Sequence, residues 1–273
     1  MSAPNYLSSY FRYKESVGVV DVNTIIADLR DELVTQPVAP NQWTEPVAGT
    51  FKSPDRADGI FFTVTVARVS ATRISYVVRD QLGMLVNNMT TTQQDIDAGG
   101  TTVHYYTGPF HVCVTTERAT PEAWMCGILD TTPDPLGKPR AMYFASRAPR
   151  DNTGASLIAS EYFRVYLLLP GGTSYSSTAN MITCSGGGAS TWYRETVAGT
   201  KIYQPAEMND GNQTGAVATF LGRIPQCVMV DGRIAFASEL TIPIDGANTG
   251  VFKVVGFATD VNSGVARLAF RKA

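Results

Sequence analysis

Gly59-Ile-Phe-Phe-Thr-Val-Thr-Val-Ala-Arg-Val-Ser-Ala-Thr-Arg-Ile-Ser-Tyr-Val-Val-Arg-Asp80 is the stretch whose pattern decides the fold. In its first half Ile60, Phe62, Val64 and Val66 share one face, and Phe61, Thr63, Thr65 and Ala67 share the other. In its second half Ile74, Tyr76 and Val78 alternate with Arg73, Ser75, Val77 and Arg79. Side chains on a strand switch faces at every residue, so this period of two predicts a half-buried antiparallel pair, bent at Ser70-Ala71-Thr72.

Upstream, residues 1–20 are polar and aromatic, with Tyr6, Tyr10, Phe11 and Tyr13 set among Ser and Lys. They read as an extended N-terminal arm and a candidate interface. Ile25, Ile26, Leu29 and Leu33 then follow helical spacing from Thr24 to Val34, behind Asp21 or Asn23 as a cap. Pro37 and Pro40 stop the helix. A prolyl arm pinned by Trp43 and Phe51 leads into the hairpin.

Downstream, strands are predicted at Met84–Met89, Val103–Tyr106, Phe110–Thr116, Trp124–Leu129, Ala141–Ser146 and Tyr162–Leu169. A polar loop is expected over Thr90–Gly100. Later strands are expected at Thr191–Val197, Val217–Leu221, Gln226–Val230 and Arg233–Ile244, with Asp231-Gly232 as a hairpin turn. Val251–Thr259 and Gly264–Arg271 close the chain as a last hairpin. Short strands with frequent turn signals predict a mainly β protein of one or two antiparallel β-sandwich or barrel domains. Asp130–Pro139 has three prolines and marks a division. The expected units are 1–35 (arm and helix), 36–135 (a β domain) and 136–273 (a second β domain or a continuation of the same sandwich).

The 273 residues carry 22 Lys and Arg against 24 Asp and Glu, a net charge of −2, without a basic cluster. That argues against nucleic acid as a partner, because phosphate binding needs gathered cations. The longest apolar run, Val165 to Leu169, is too short to span a bilayer. Met1-Ser-Ala-Pro-Asn-Tyr6 has no secretory pattern, so a soluble chain made in a cytoplasm is expected.

Cys113, Cys126, Cys184 and Cys227 include no C-x-x-C pair. They read either as four buried free thiols or as candidate disulfides formed in an oxidising exterior, where three full pairings exist. His104 and His111 are the two histidines. His111, Cys113 and Cys126 are the only metal-like set, and they lack the paired close spacing of zinc ligands. No G-x-S-x-G elbow accompanies a serine nucleophile. Glu117, Glu122, Asp130, Glu161, Glu195, Glu207 and Glu239 offer acids for a glycosidase pair, without a spacing that selects two of them.

Ser185-Gly186-Gly187-Gly188 lacks the lysine of a phosphate loop. Asp130, Asp134, Asn209, Asp210 and Asn212 do not match a calcium loop. Trp43, Trp124, Trp192, Tyr175, Tyr193 and Tyr203 are candidate sugar platforms, set against ordinary core packing. No catalytic residue, cofactor or metal is assigned, and no enzyme is expected.

Residues 6–80 carry a resemblance. Tyr6-Leu-Ser-Ser-Tyr-Phe-Arg-Tyr13, Ile25-Ile-Ala-Asp-Leu-Arg-Asp-Glu-Leu33, Trp43, Phe51-Lys-Ser-Pro54 and Gly59-Ile-Phe-Phe-Thr63 together resemble virion structural proteins of tailed bacteriophages, those of the neck, collar and tail. The resemblance implies a non-enzymatic protein forming an oligomeric ring or sheath in the virion, with copies of itself and other virion proteins as partners. The alternative is a carbohydrate- or receptor-binding β-module of a tail fibre or spike, with a glycan as partner.

Overall fold

The computed structural model describes residues 10–18, 20–71, 73–86, 92–95, 102–117, 123–130, 141–147, 163–168, 174–178, 182–184, 203–209, 220–231, 234–245, 248–258 and 266–273. Strand β1 (Arg12–Ser16) precedes helix α1 (Val22–Arg30), which ends in a π-helical turn over Asp31–Thr35. Then come β2 (Thr44–Val47), β3 (Thr50–Lys52), β4 (Phe62–Ser70), β5 (Arg73–Asp80) and β6 (Thr92–Asp95). Next are β7 (Thr102–Gly108), β8 (His111–Glu117), β9 (Ala123–Ile128), β10 (Met142–Arg147), β11 (Phe163–Leu168) and β12 (Ser174–Thr178). Last are β13 (Ile182–Cys184), β14 (Tyr203–Asn209), β15 (Phe220–Asp231), β16 (Glu239–Asp245), β17 (Asn248–Ala258) and β18 (Ala266–Arg271).

These strands form three antiparallel sheets, ordered β1-β7-β8-β9-β10-β11-β12, β13-β14-β15-β18-β17-β16 and β2-β3-β4-β5-β6. The mainly β architecture with one short N-terminal helix is the one the alternation predicts. The opening hairpin pairs Thr63 with Arg79 and Ser70 with Arg73, and it buries Phe62, Val64, Val66, Ile74, Tyr76 and Val78.

The seven-stranded sheet is the middle layer, and period two explains how it serves both neighbours. Tyr105, Val112, Val114, Trp124, Cys126, Phe144 and Tyr166 face the five-stranded sheet and the helix, joining Phe62, Ile74, Tyr76, Ile25 and Leu29 in one core. Their in-between neighbours Tyr106, Cys113, Met125, Tyr143 and Leu167 face the six-stranded sheet, joining Met208, Cys227, Leu268 and Phe270 in a second core. A strand buried on both faces loses the apolar–polar alternation and reads as a continuous apolar run. Ala123–Ile128, buried throughout, shows it.

Of the two expected caps, Asp21 and Asn23, helix α1 uses Asp21, and it starts at Val22, two residues before the expected Thr24. The Asp21 carboxylate accepts from the Thr24 backbone N–H at 2.7 Å and from the Thr24 hydroxyl at 2.8 Å, supplying partners that a first helical turn lacks. Ile25, Leu29 and Leu33 carry the buried stripe.

Over Arg12–Ser16 the arm is extended, as an edge strand on its own chain's sheet, with Arg12 opposite Thr107 and Ser16 opposite Val103. Other expectations are corrected. Within the expected loop of Thr90–Gly100, Thr92–Asp95 pairs with β5. Of the strand expected over Met84–Met89, residues 84–86 show an isolated bridge between Leu85 and Arg79, and 87–89 lie outside the described residues. β15 pairs with β14 and β18, whereas β16 pairs with β17, so Asp231-Gly232 does not turn a hairpin between neighbours.

The strands flanking the proline-rich division, β9 and β10, are adjacent, with Met142 opposite Ile128, so one sheet runs across residue 135. Thr191–Val197 lies outside the described residues.

Candidate functional site

Among the described residues a cluster of ionisable side chains gathers around β1, the outer strand of the seven-stranded sheet. Alternation along β1 sends Arg12, Lys14 and Ser16 toward the helix and Tyr13 and Glu15 toward the other layer. On the helix side the Arg12 guanidinium donates to both Glu32 oxygens, from Nε at 3.0 Å and from Nη2 at 3.2 Å. Lys14 Nζ lies 2.8 Å from Asp28 and 3.1 Å from Asp31, and the Ser16 hydroxyl donates to Asp28 at 2.7 Å.

On the opposite side Tyr13 Oη donates to Glu15 Oε2 at 2.7 Å and lies 2.9 Å from His104 Nδ1. His104 Nε2 lies 2.9 Å from Glu117 Oε2, which also accepts from Lys253 Nζ of β17 at 3.3 Å. Lys272 stands over the Tyr13 ring, 5.2 Å from its centre, and pairs with Glu239 at 2.6 Å.

Hydrogen counting defines what this cluster can do. Three contacts run Glu15–Tyr13–His104–Glu117. A phenol has one hydrogen and a neutral imidazole has one N–H, so two of the three are hydrogen-bonded while His104 is neutral. All three are satisfied when His104 is an imidazolium.

Burial pulls the His104 pKa below the usual histidine range, and Lys253 adds to this, while Glu117 and Glu15 oppose it. Burial pushes the Tyr13 phenol up, and its hydrogen bond to Glu15 adds to that. That same bond holds Glu15 below the usual carboxylate range against a smaller cost of burial. For Glu117, burial raises the pKa, but the contacts with His104 and Lys253 outweigh it and the net shift is downward. The cluster ties β1 to β7, β8 and β17 through polar contacts.

The expected site residues fall as follows. Cys113, Cys126 and Cys227 are buried free thiols, and burial pushes the pKa of each well up, which keeps them protonated and poorly nucleophilic. Cys184 ends β13, and its side chain is outside the described residues. Cys113 and Cys126 belong to cores on opposite faces of the middle sheet, so the metal-like set of His111, Cys113 and Cys126 is split. Among the described residues no group of three metal-ligating side chains converges.

His111 is buried, stacked on Phe270 and in contact with Tyr143 Oη at 2.5 Å through Nδ1. Trp43 and Trp124 are core residues rather than exposed platforms. Trp192 and Tyr193 lie outside the described residues, as do the side chains of Tyr175 and Tyr203.

Of the candidate arm, Tyr6 lies outside the described residues and Tyr10 is exposed. Phe11 packs under the Arg271 guanidinium at 4.2 Å. Tyr13 is half-buried in the cluster.

Sequence reasoning named His104, Glu117 and Glu239 but missed Glu15, Lys253 and Lys272. The alternation of Tyr13 and Glu15 was a usable signal for one side. Lys253 meets Glu117 across 136 residues and between two sheets, which no local pattern encodes. Compared with protein-family models and with curated proteins, the chain matches none.

Proposed function

We propose that this chain is a non-enzymatic structural protein of a tailed-phage virion, assembling with copies of itself and with other virion proteins into a ring or sheath at the neck, collar or tail. The observation that carries the reading is the way β1 is attached. None of its side chains is fully buried, and it sits at the outer edge of the middle sheet. Charged pairs hold it there. A segment attached by polar contacts at a sheet edge suits building contacts between identical subunits.

The state of the reactive side chains agrees. Both ring nitrogens of His104 contact protein groups, His111 is enclosed, and three thiols are buried and protonated. Size-exclusion chromatography with light scattering, followed by electron microscopy of the purified chain, tests the proposal. Closed rings or stacked sheaths are expected. A monomer at all concentrations that attaches to no particle would overturn it.

A further inference from the structure

We infer that the N-terminal strand exchanges between copies: β1 of one chain docks on β7 and α1 of a second copy of this chain. The inference rests on the proposed assembly and specifies the contact that makes it.

Three observations carry it. First, β1 is separable from the core. The helix after it is anchored by Val22, Ile25, Leu29 and Leu33, all buried, whereas β1 contributes no fully buried residue. Lifting it uncovers the face of Tyr13 that packs on Tyr106, and otherwise breaks mainly hydrogen bonds and ion pairs.

Second, its socket is complementary in charge and belongs to every copy. Arg12 and Lys14 meet Glu32, Asp28 and Asp31, and Tyr13 and Glu15 meet His104. A second chain offers the same carboxylates and the same edge of β7, so the pairs lost by leaving are remade on docking.

Third, the connection between Ser16 and Asp21 is short, and it bends at Gly18. Gly18 has φ of 110°, a value that side-chain-bearing residues rarely adopt, and Val17 is 75% exposed. Straightening the connection removes the need for that conformation. Residues 17–20, when extended, span about 13 Å. Short, bent connections are the usual hinges of exchanged segments.

The register chooses the test. Ser16 lies opposite Val103, and Arg12 opposite Thr107. Facing residues on antiparallel strands are spaced for a disulfide. The full chain carrying Ser16→Cys with Val103→Cys is oxidised with copper phenanthroline, and bridges are mapped by peptide mass spectrometry against the oxidised wild type. Arg12→Cys with Thr107→Cys is the second pair. In parallel, chains carrying Ser16→Cys alone and Val103→Cys alone are co-expressed with different tags.

Expected are covalent multimers joined between positions 16 and 103, and a bond between the two tagged chains. An intrachain bridge at monomer mass, with no bond between the tagged chains, overturns the exchange. If light scattering of that sample still reports an assembly, the proposed function survives and only the exchange falls; if it reports a monomer, both fall. Absence of a bridge at both pairs also overturns the inference, because β1 then lies on β7 of neither copy.

Discussion

The indole N–H of Trp43 donates to the Gly108 carbonyl at 2.9 Å, tying the segment after the helix to the end of β7. Trp43 is also packed edge-on against Phe62, with ring centres 5.1 Å apart. Trp43→Phe keeps much of the packing and removes this hydrogen bond. A buried acceptor losing its partner costs about 1–3 kcal/mol, and Trp43→Ala adds a cavity for a total of about 3–5 kcal/mol or more. Urea unfolding of the two variants checks the order. Equal losses would show that the ring packing adds nothing beyond the hydrogen bond; a loss within error for Trp43→Phe would show that the hydrogen bond contributes nothing.

Glu32 is nearly enclosed, while Arg12 is partly open to solvent. Removing either partner therefore has unequal effects. Arg12→Met leaves a carboxylate without its cation in a site that water scarcely reaches, at a cost of about 1–3 kcal/mol. Arg12→Met combined with Glu32→Leu recovers part of that loss. Unfolding midpoints at one fixed protein concentration test this, and a double variant less stable than Arg12→Met refutes it.

His111 is enclosed between the middle and six-stranded sheets, and burial pushes its pKa down to about 3. Its unfolded pKa is near 6.5. As pH falls below that value the unfolded chain takes up a proton that the folded chain does not, so stability declines. The slope approaches about 1.4 kcal/mol per pH unit for this group, down toward pH 3. His104 is shifted the same way and adds to the loss. These are the chain's two histidines, and most carboxylates titrate lower, so the window from pH 6.5 to 5 reports on them. Urea midpoints for wild type should drop across that window, and His111→Phe should flatten the drop. An unchanged slope in the variant would show that His111 is accessible to protons in the folded state.

Lys253 lowers the His104 pKa and also donates to Glu117. Lys253→Met therefore raises the His104 pKa and weakens the junction between the two sheets. The C–H resonances of His104, followed by NMR through a pH titration, report the shift. No change would mean that the lysine's charge is screened at the imidazole, and a fall would refute its lowering effect.

Gly222 in β15 has φ of 147°, and a Cβ there would stand 2.7 Å from the Leu129 Cβ and 3.0 Å from the Asp130 oxygen. This close approach is where Asp130 and Arg223 exchange backbone hydrogen bonds of 2.9 and 2.8 Å, joining the end of β9 to the six-stranded sheet. Gly222→Ala meets both an unfavourable backbone angle and a clash, and should destabilise by about 1–3 kcal/mol. Thermal unfolding checks it, with a stability within error of wild type as the refuting result.

Local order was legible in the sequence because it is enforced by nearest neighbours. Alternating Phe62, Val64 and Val66 could bury one face only as a strand, and Asp21 or Asn23 could cap a helix that Ile25, Leu29 and Leu33 continue. The candidate site was legible only in pieces. His104 and Glu117 stood out as residue types, but their relation required the register of β7 on β8, and Lys253 required two sheets to stack.

The arm shows the division most sharply. Its aromatic, charged composition predicted a surface segment that binds something. Only the tertiary structure decided that Arg12, Lys14 and Ser16 face the helix while Tyr13 and Glu15 face His104. Backbone pairing of distant strands sets which face of β1 meets which layer, and those pairings depend on contacts that lie some ninety residues apart along the chain.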